Sequence, residues 1–380
     1  EGYVADPIGA GPWTFVDRKV GEFFHHERVL DHYRITPGFH EFYIQLVKER
    51  ATRLAMLLAG ETHIIPLAES HKQQITDAGF AIAPSTQVSV HQAIGIMYLR
   101  PEAYCPGGEP PPGGAPCGPR PGYNPDTPLR KPEIRRALNY AINRNEFNNK
   151  FYEGKGFPLV DYAAQWRADW KDEWTPYPGI GGKTGREGGW PYPGDGDQAK
   201  AKELLAEGGF PDGFDTILSC TLQNNVIPEW PDHCEYLAAT WKQIGVNIIH
   251  EWTQSFGDFR ARVNKFDTDN FMWSSSPCLD TACVSVTFSF VYELGNSYRE
   301  FPAASSFFEK CGITPSVEGL IKISQDMFDE WTRDAWTIPL VWVYAAAGVD
   351  PEVVSEYRVN QLHMGPIRYH AQTVPVMKAG

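Results

Sequence analysis

The sequence predicts a two-domain α/β protein, on three observations. Segments with apolar residues at helical spacing alternate with short apolar runs, the pattern of helices layered on sheets. The chain has 380 residues, too many for one ordinary core. Residues 101–128 are dominated by Pro and Gly, as in Pro110-Pro111-Pro112-Gly113-Gly114, and divide a smaller first part from a larger second one.

The elements follow in order. Ala10-Gly11-Pro12-Trp13 is turn chemistry leading into a strand from Trp13 to Val16, with further strands from Phe23 to Leu30 and from Glu41 to Val47. Arg50 to Leu58 has helical spacing and Gly60 is a suitable stop. His63 to Leu67 and Val88 to Leu99 read as strands. Beyond the Pro/Gly junction, Pro132 occupies a first-turn position with Glu133 behind it, and Ile134, Leu138, Ala141 and Ile142 form one apolar stripe. Tyr152 to Pro193 is irregular and rich in Trp, Tyr, Gly and Pro. Asp197 caps a helix to Glu207 that Gly208-Gly209 stops. Thr216 to Leu222 is a strand, His233 to Ile244 a helix stopped by Gly245, Val246 to Thr253 a strand, Phe256 to Asn264 a helix and Asn270 to Ser274 a strand. A long amphipathic helix from Val317 to Trp336 precedes the last strong strand, Ile338 to Ala346.

Composition narrows the function classes. Hydrophobic residues make up 42%, enough for a large core and against disorder. No apolar run reaches the ~18 residues of a membrane span, and the run from Ile338 to Val349 is broken by Pro339 and Gly348. A formal charge of -13 opposes nucleic-acid binding, which needs a basic face. Acidity of this size speaks for solubility and names no partner. The seven cysteines form no CxxC and match no zinc spacing. A Cys105–Cys117 disulfide would close the Pro/Gly loop and Cys278–Cys283 a smaller one, which would suit an oxidising, exported setting, but the connectivity stays open. Residue 1 is Glu and no signal peptide is visible, so the chain is expected to be processed, trimmed or partly recorded.

No catalytic or metal pattern survives inspection. Gly182-Lys183-Thr184 resembles a phosphate loop, but Tyr177 stands where the first Gly is required. Asp195-Gly196-Asp197 lacks the later ligands of a calcium loop. His25, His26 and His32 cluster in sequence, yet adjacent residues of a strand point to opposite faces, so no metal is expected. Ser274-Ser275-Ser276 has no nucleophile elbow around it.

Five segments together carry a resemblance. They are Pro7 to Trp13, Leu57 to Ile64, Arg130 to Arg144 (RKPEIRRALNYAINR), Gly194 to Phe214 and Leu237 to Val246. In this order, across nearly the whole chain, they resemble the family 5 extracellular solute-binding proteins of ABC importers, the group with dipeptide, oligopeptide and nickel binders. The resemblance implies a two-lobe, type II periplasmic-binding-protein-like α/β fold. Residues 1–97 would be part of lobe I, residues 98–342 the second main lobe (lobe III), and residues 343–380 the return to lobe I. It also implies a region before Pro7, holding an accessory domain and the first strands of a lobe, that this chain lacks. The chain alone is then expected to be unstable, or accompanied by that region as a separate piece.

The implied mechanism is physical. Two lobes close on a ligand about hinge strands near Gly95-Ile96 and Tyr344-Ala345-Ala346, and a membrane permease recognises the closed form. No cofactor, metal or catalytic residue is implied. The candidate ligand-binding residues are Trp166, Trp170, Asn224, Asn225, Trp273, Ser275, Ser276 and Asp280. In the family's peptide binders an Asp shortly after a Trp meets the ligand amine. Here the matching position is Ser276, with Asp280 four residues on, and a neutral Ser cannot compensate a buried ammonium. A peptide is the first expectation and an oligosaccharide or other organic solute the second. The sequence holds twelve Trp, whose faces stack on rings and sugars. The competing class is a hydrolase using the cleft, which no motif supports.

Overall fold

The computed structural model describes residues 9–34, 36–85, 90–96, 101, 117–158, 192–222, 228–254, 256–263, 265–266, 268, 271–275, 304–357 and 376–377. The chain divides into two compact units, the first of residues 1–90, 225–228 and 344–380, the second of residues 91–224 and 229–343.

The first unit opens with an antiparallel three-stranded sheet of β1 (Trp13–Lys19), β2 (Phe23–Arg28) and β3 (Glu41–Gln45). Strand alternation sorts its side chains. Trp13 packs its ring 4.6 Å from Phe42, which stacks on His26 at 4.8 Å. Helix α1 (Arg50–Leu58) keeps the limits read from its spacing and buries Leu54 and Leu57. Strand β4 (Ile64–Pro66) follows. Helix α2 (Lys72–Asp77) and strand β5 (Ala81–Pro84) are not anticipated by the sequence. The helix has six residues and one buried side chain, Ile75, too short for a period to show. The strand has four residues, two of them Ala and one Pro, so Ile82 is its single strand-forming side chain.

The second unit is built on six strands. Strand β6 (Val90–Ile96) leads to helix α3 (Pro132–Tyr140), which starts at Pro132 as expected. The helix stops at Tyr140 and does not run on to Arg144. The Asn143 side chain accepts the Glu146 amide at 2.7 Å and starts a new helix, α4 (Arg144–Tyr152). Short strand β7 (Phe157–Pro158) precedes α5 (Gln198–Glu207). Asp197 caps α5 by accepting the Lys200 amide at 2.8 Å, as its sequence position predicts.

Strand β8 (Phe214–Thr221), helix α6 (Trp230–Lys242) and strand β9 (Val246–Thr253) form a parallel crossover unit. Its two strands start beside each other at Gly213 and Gly245, both with positive φ of 84° and 91°. A Cβ on Gly213 would lie 1.9 Å from the Gly245 carbonyl oxygen, so no larger residue fits this approach. Helix α7 (Phe256–Val263), strand β10 (Phe271–Ser275), helices α8 (Ala304–Ile313) and α9 (Val317–Asp334) and strand β11 (Thr337–Val343) complete the unit. The sheet order is β7-β11-β6-β10-β8-β9, with β8, β9 and β10 parallel and β6 antiparallel to β10.

Helices α3 and α5 pack antiparallel. Lys131 Nζ donates to the Gly208 carbonyl at 2.8 Å, capping the negative end of α5, and Gln198 Nε2 donates to the Ala141 carbonyl at 2.7 Å at the other end. Arg135 and Asn139 of α3 and Arg144 of α4, all buried, tie these two helices to β11 and the turn before it. Arg135 Nε donates to the Asp334 carbonyl at 2.8 Å and its guanidinium lies 3.6 Å from the centre of the Trp336 ring. Asn139 Nδ2 donates to the Thr337 carbonyl at 3.2 Å and Arg144 Nε to the Pro339 carbonyl at 2.9 Å. Against α6, Trp241 Nε1 donates to the Leu138 carbonyl at 3.0 Å and Tyr236 to the Asn143 carbonyl at 3.1 Å. Desolvation pushes the Tyr236 hydroxyl up to about 12, with the charge of Glu146 adding to it, and burial lifts Tyr192 well above the usual tyrosine range.

A disulfide joins Cys220 of β8 to Cys234 of α6. The pairs suggested by loop spacing, Cys105–Cys117 and Cys278–Cys283, include residues outside the described ones. Cys117 is disulfide-bonded, as is Cys311.

The chain then returns to the first unit. The single strand expected from Ile338 to Ala346 is two, because β11 belongs to the six-stranded sheet while β12 (Ala346–Val349) lies between β4 and β5. Leu54, Leu57, Ile65, Leu67, Ile75 and Ala346 form the core beneath this small sheet. Strands β13 (Val354–Glu356) and β14 (Val376–Met377) pair with each other. No helix among the described residues is long and apolar enough to cross a membrane.

Candidate ligand-binding site

Ligands of open α/β sheets gather outside the carboxyl ends of parallel strands, where strand order changes sense. In the second unit that edge belongs to β8, β9 and β10, which end at Thr221, Thr253 and Ser275. Antiparallel β6 closes it on one side, with Ala93 in register with Ser275 and Gly95 with Trp273. Leu218, Met272, Ile94 and Ile96 are fully buried on these neighbouring strands.

The polar groups at this edge are hydroxyls. Thr221 Oγ1 and Thr253 Oγ1 lie 3.1 Å apart, both buried. One pleat back, Ser219 is in register with Trp273 on β10 and Glu251 on β9. Ser219 Oγ is buried without a hydrogen-bond partner among the described residues. A buried hydroxyl left unpaired costs about 1–3 kcal/mol, so this position holds unused hydrogen-bonding capacity. The nearby charges are matched: Glu251 pairs with Arg262 of α7, and His250 stacks on Trp252 with Nε2 3.7 Å from Glu235.

Among the residues expected to contact ligand, Trp273 and Ser275 lie on β10, at the edge just described. Trp166, Trp170, Asn224, Asn225, Ser276 and Asp280 lie outside the described residues. In sequence, Asn224 and Asn225 follow β8 within four residues and Ser276 follows β10 directly. Sequence reasoning missed Ser219, Thr221 and Thr253. A signal for them exists: each ends or nearly ends a strand of a parallel pair. It becomes legible only once β8, β9 and β10 are known to be neighbours. The described His and carboxylate groups able to share a metal, His25, Glu27 and Glu41, belong to the sheet of the first unit.

The profile of "Bacterial extracellular solute-binding proteins, family 5 Middle" matches residues 1–287. The chain belongs to this family. It is 25% identical over 268 residues to heme-binding protein A of Haemophilus influenzae, covering 68% of this chain and 40% of that protein. It is 25% identical over 223 residues to the glutathione-binding protein GsiB of Pectobacterium atrosepticum, covering 56% of this chain and 33% of that one. The chain thus spans less than half the length of these relatives. Among solved structures, the periplasmic binding protein DppA of Helicobacter pylori, in complex with the peptide STSA, superposes with a TM-score of 0.69 at 16% identity, over 97% of this chain and 63% of DppA. The fold is the type II periplasmic-binding-protein fold of the family.

Proposed function

We propose that this protein captures a small solute outside the cytoplasm, a peptide in the first instance, and hands it to the membrane permease of an ABC importer. Family membership through residues 1–287 carries the reading. In the same reading, residues 1–97 with 343–380 form one lobe and residues 98–342 the other. The ligand is held at the carboxyl edge of β8, β9 and β10, with Trp166, Trp170, Asn224, Asn225, Trp273, Ser275, Ser276 and Asp280 as contacts. Ser219, Thr221 and Thr253 join them as hydrogen-bonding groups. The protein binds without turnover, and the relatives named above are themselves described as binding proteins. The Cys220–Cys234 disulfide suits an extracytoplasmic setting.

The second reading is the same role for a non-peptide solute, an oligosaccharide or another organic molecule. Ser276 favours it, because a hydroxyl stands where peptide binders use a carboxylate against the ligand amine. The described edge likewise offers hydroxyls.

Native mass spectrometry of the purified protein identifies any co-purified solute. A thermal-shift panel of short peptides, glutathione, heme and oligosaccharides then ranks the classes. A ligand at 100 times its Kd stabilises by about 2.7 kcal/mol, a readily measured shift. Stabilisation by peptides, recovered uncleaved, supports the first reading. Stabilisation by non-peptide solutes alone replaces it with the second. Cleavage of a bound solute would refute the binding-only role.

A further inference from the structure

Strand β2 carries His25 and Glu27 two residues apart, on one face of the three-stranded sheet. Strand β3 sets Glu41 directly across from Glu27, and Tyr43 across from His25. Strand β1 reaches the same face through an irregularity. Phe15 pairs with His26 and Asp17 with His25, so Val16 is an extra residue between them. Without this bulge Asp17 would pair with Phe24 and face the other way; bulges re-aim side chains in this manner.

One imidazole therefore stands among three carboxylates. His25 Nε2 is 2.8 Å from Glu41 Oε2, and Nδ1 is 3.4 Å from Asp17 Oδ1. The ring lies flat on Tyr43, centroids 4.2 Å apart and planes 7° apart, and His25 is only 8% exposed. One ligand atom from each of His25, Glu27 and Glu41 lies within 4.8 Å of the others. Even a protonated His25 would leave two negative charges over. Like charges directly opposite on neighbouring strands repel. Among the described residues, neither Glu27 nor Glu41 is paired with a Lys or Arg. Lys19, the nearest basic residue on this face of β1, is held by Glu22 at 2.7 Å.

We propose that these residues form a site for a divalent transition cation of the zinc class, with His25 Nε2, Glu27 and Glu41 as ligands and Asp17 as the group that orients the ring. A metal-bound imidazole usually donates its other N–H to a carboxylate, which fixes tautomer and angle. Asp17 stands at Nδ1 for that role. Ligands about 2.0–2.2 Å from zinc stand about 3.3 Å apart, so small rotations of the two exposed carboxylates close the set around a metal. Water fills the fourth position. An imidazole nitrogen in the set favours transition metals over Mg²⁺ and Ca²⁺, which take oxygen ligands. Binding replaces the contact between His25 and Glu41 with bonds from each to the metal. The ion would pin β2 to β3 and cancel the repulsion between Glu27 and Glu41. The site's residues belong to the first unit, those of the proposed ligand edge to the second.

The test is calorimetric titration of the chelator-treated full chain with ZnCl₂, with MgCl₂ and CaCl₂ as controls. One Zn²⁺ per chain is expected, with no heat from the controls. Glu27→Gln and Glu41→Gln each weaken it at least about tenfold, and Asp17→Asn about 10–100-fold, the range for losing an orienting partner. Glu27 is exposed, so Glu27→Gln keeps the fold, and its metal-free melting temperature equals or exceeds that of the parent as repulsion is relieved. Zn²⁺ affinity unchanged in both Glu27→Gln and Glu41→Gln would overturn the site, as would a folded chain that binds no Zn²⁺ stoichiometrically.

Discussion

Arg144 and Asn139 form a buried couple: Arg144 Nη2 donates to Asn139 Oδ1 at 2.8 Å and Nη1 to the Asn139 carbonyl at 3.0 Å. The couple bridges the end of α3 and the start of α4, and each member also donates to a backbone carbonyl of β11. Both residues belong to the stretch from Arg130 to Arg144, one of the five segments that carry the family resemblance. That stretch is architectural. It locks two helices onto a strand.

Removing the shared partner tests this. Asn139→Ala leaves a buried guanidinium short of an acceptor and the Thr337 carbonyl short of a donor. Hydrogen bonds to charged groups are worth about 1.5–3 kcal/mol, so a loss of about 2–4 kcal/mol is expected in urea denaturation. Arg136, one turn away on the exposed side, donates to the Arg333 carbonyl. Arg136→Ala should cost less than about 1 kcal/mol. Equal losses in the two variants would sink the assignment.

The crossover of β8 and β9 rests on a backbone contact. Gly213→Ala adds a Cβ 1.9 Å from the Gly245 carbonyl oxygen, at a φ of 84° that L-residues resist. Strain at such a φ alone costs about 1–3 kcal/mol, and the overlap forces β8 and β9 apart as well. The expected outcome is a lowered melting temperature with a sharp fall in soluble yield. Gly312→Ala, where a Cβ meets nothing within 4 Å, should leave both unchanged.

How much of this was legible in the sequence depends on range. Arg50 to Leu58 and Val246 to Thr253 were readable to the residue, because period and stop signals are local. So was the Asp197 cap. The break between α3 and α4 was hidden, since Ile142 continues the apolar stripe while the Asn143 side chain caps the start of a second helix. Cys220 and Cys234 pair because a strand and the following helix pack face to face, which spacing does not reveal. His25 and His26 do point to opposite faces, as the sequence implies. The groups gathered around His25 arrive from β1 and β3, through a bulge and a register that no single strand announces. At the proposed ligand edge, Trp273 and Ser275 are candidates from the sequence, whereas Ser219, Thr221 and Thr253 acquire meaning only from their neighbours.

The Cys220–Cys234 bond closes a short loop, with a sequence separation of 14. A cross-link around a loop of about 15 residues contributes about 3 kcal/mol by restricting the unfolded chain. Replacing both cysteines by Ala should therefore lower the urea midpoint by a corresponding amount. The effect of added reductant on the parent should be at least as large, since Cys117 and Cys311 are also bonded. A double variant as stable as the parent would show that this bond contributes nothing.

Alkaline pH should unfold the second unit through its buried tyrosines. Tyr236 is raised to about 12 by desolvation first and the charge of Glu146 second, while an unfolded tyrosine titrates near 10. Between those values the unfolded chain has released a proton that the folded chain retains. Proton release then favours unfolding, and stability falls as pH rises. The contribution is fully present below about pH 10 and is lost as pH climbs through the folded value. Tyr192, raised in the same direction by burial, adds to the slope. Urea midpoints measured from pH 9 to 11 should decline for the parent and decline less steeply for Tyr236→Phe. At neutral pH that variant gives up the hydroxyl's hydrogen bonds, to the Asn143 carbonyl and to the Thr240 and Glu146 side chains, each worth about 1 kcal/mol. Parallel slopes for parent and variant would mean that Tyr236 ionises freely in the folded state, and that its packing against α4 is looser than the fold describes.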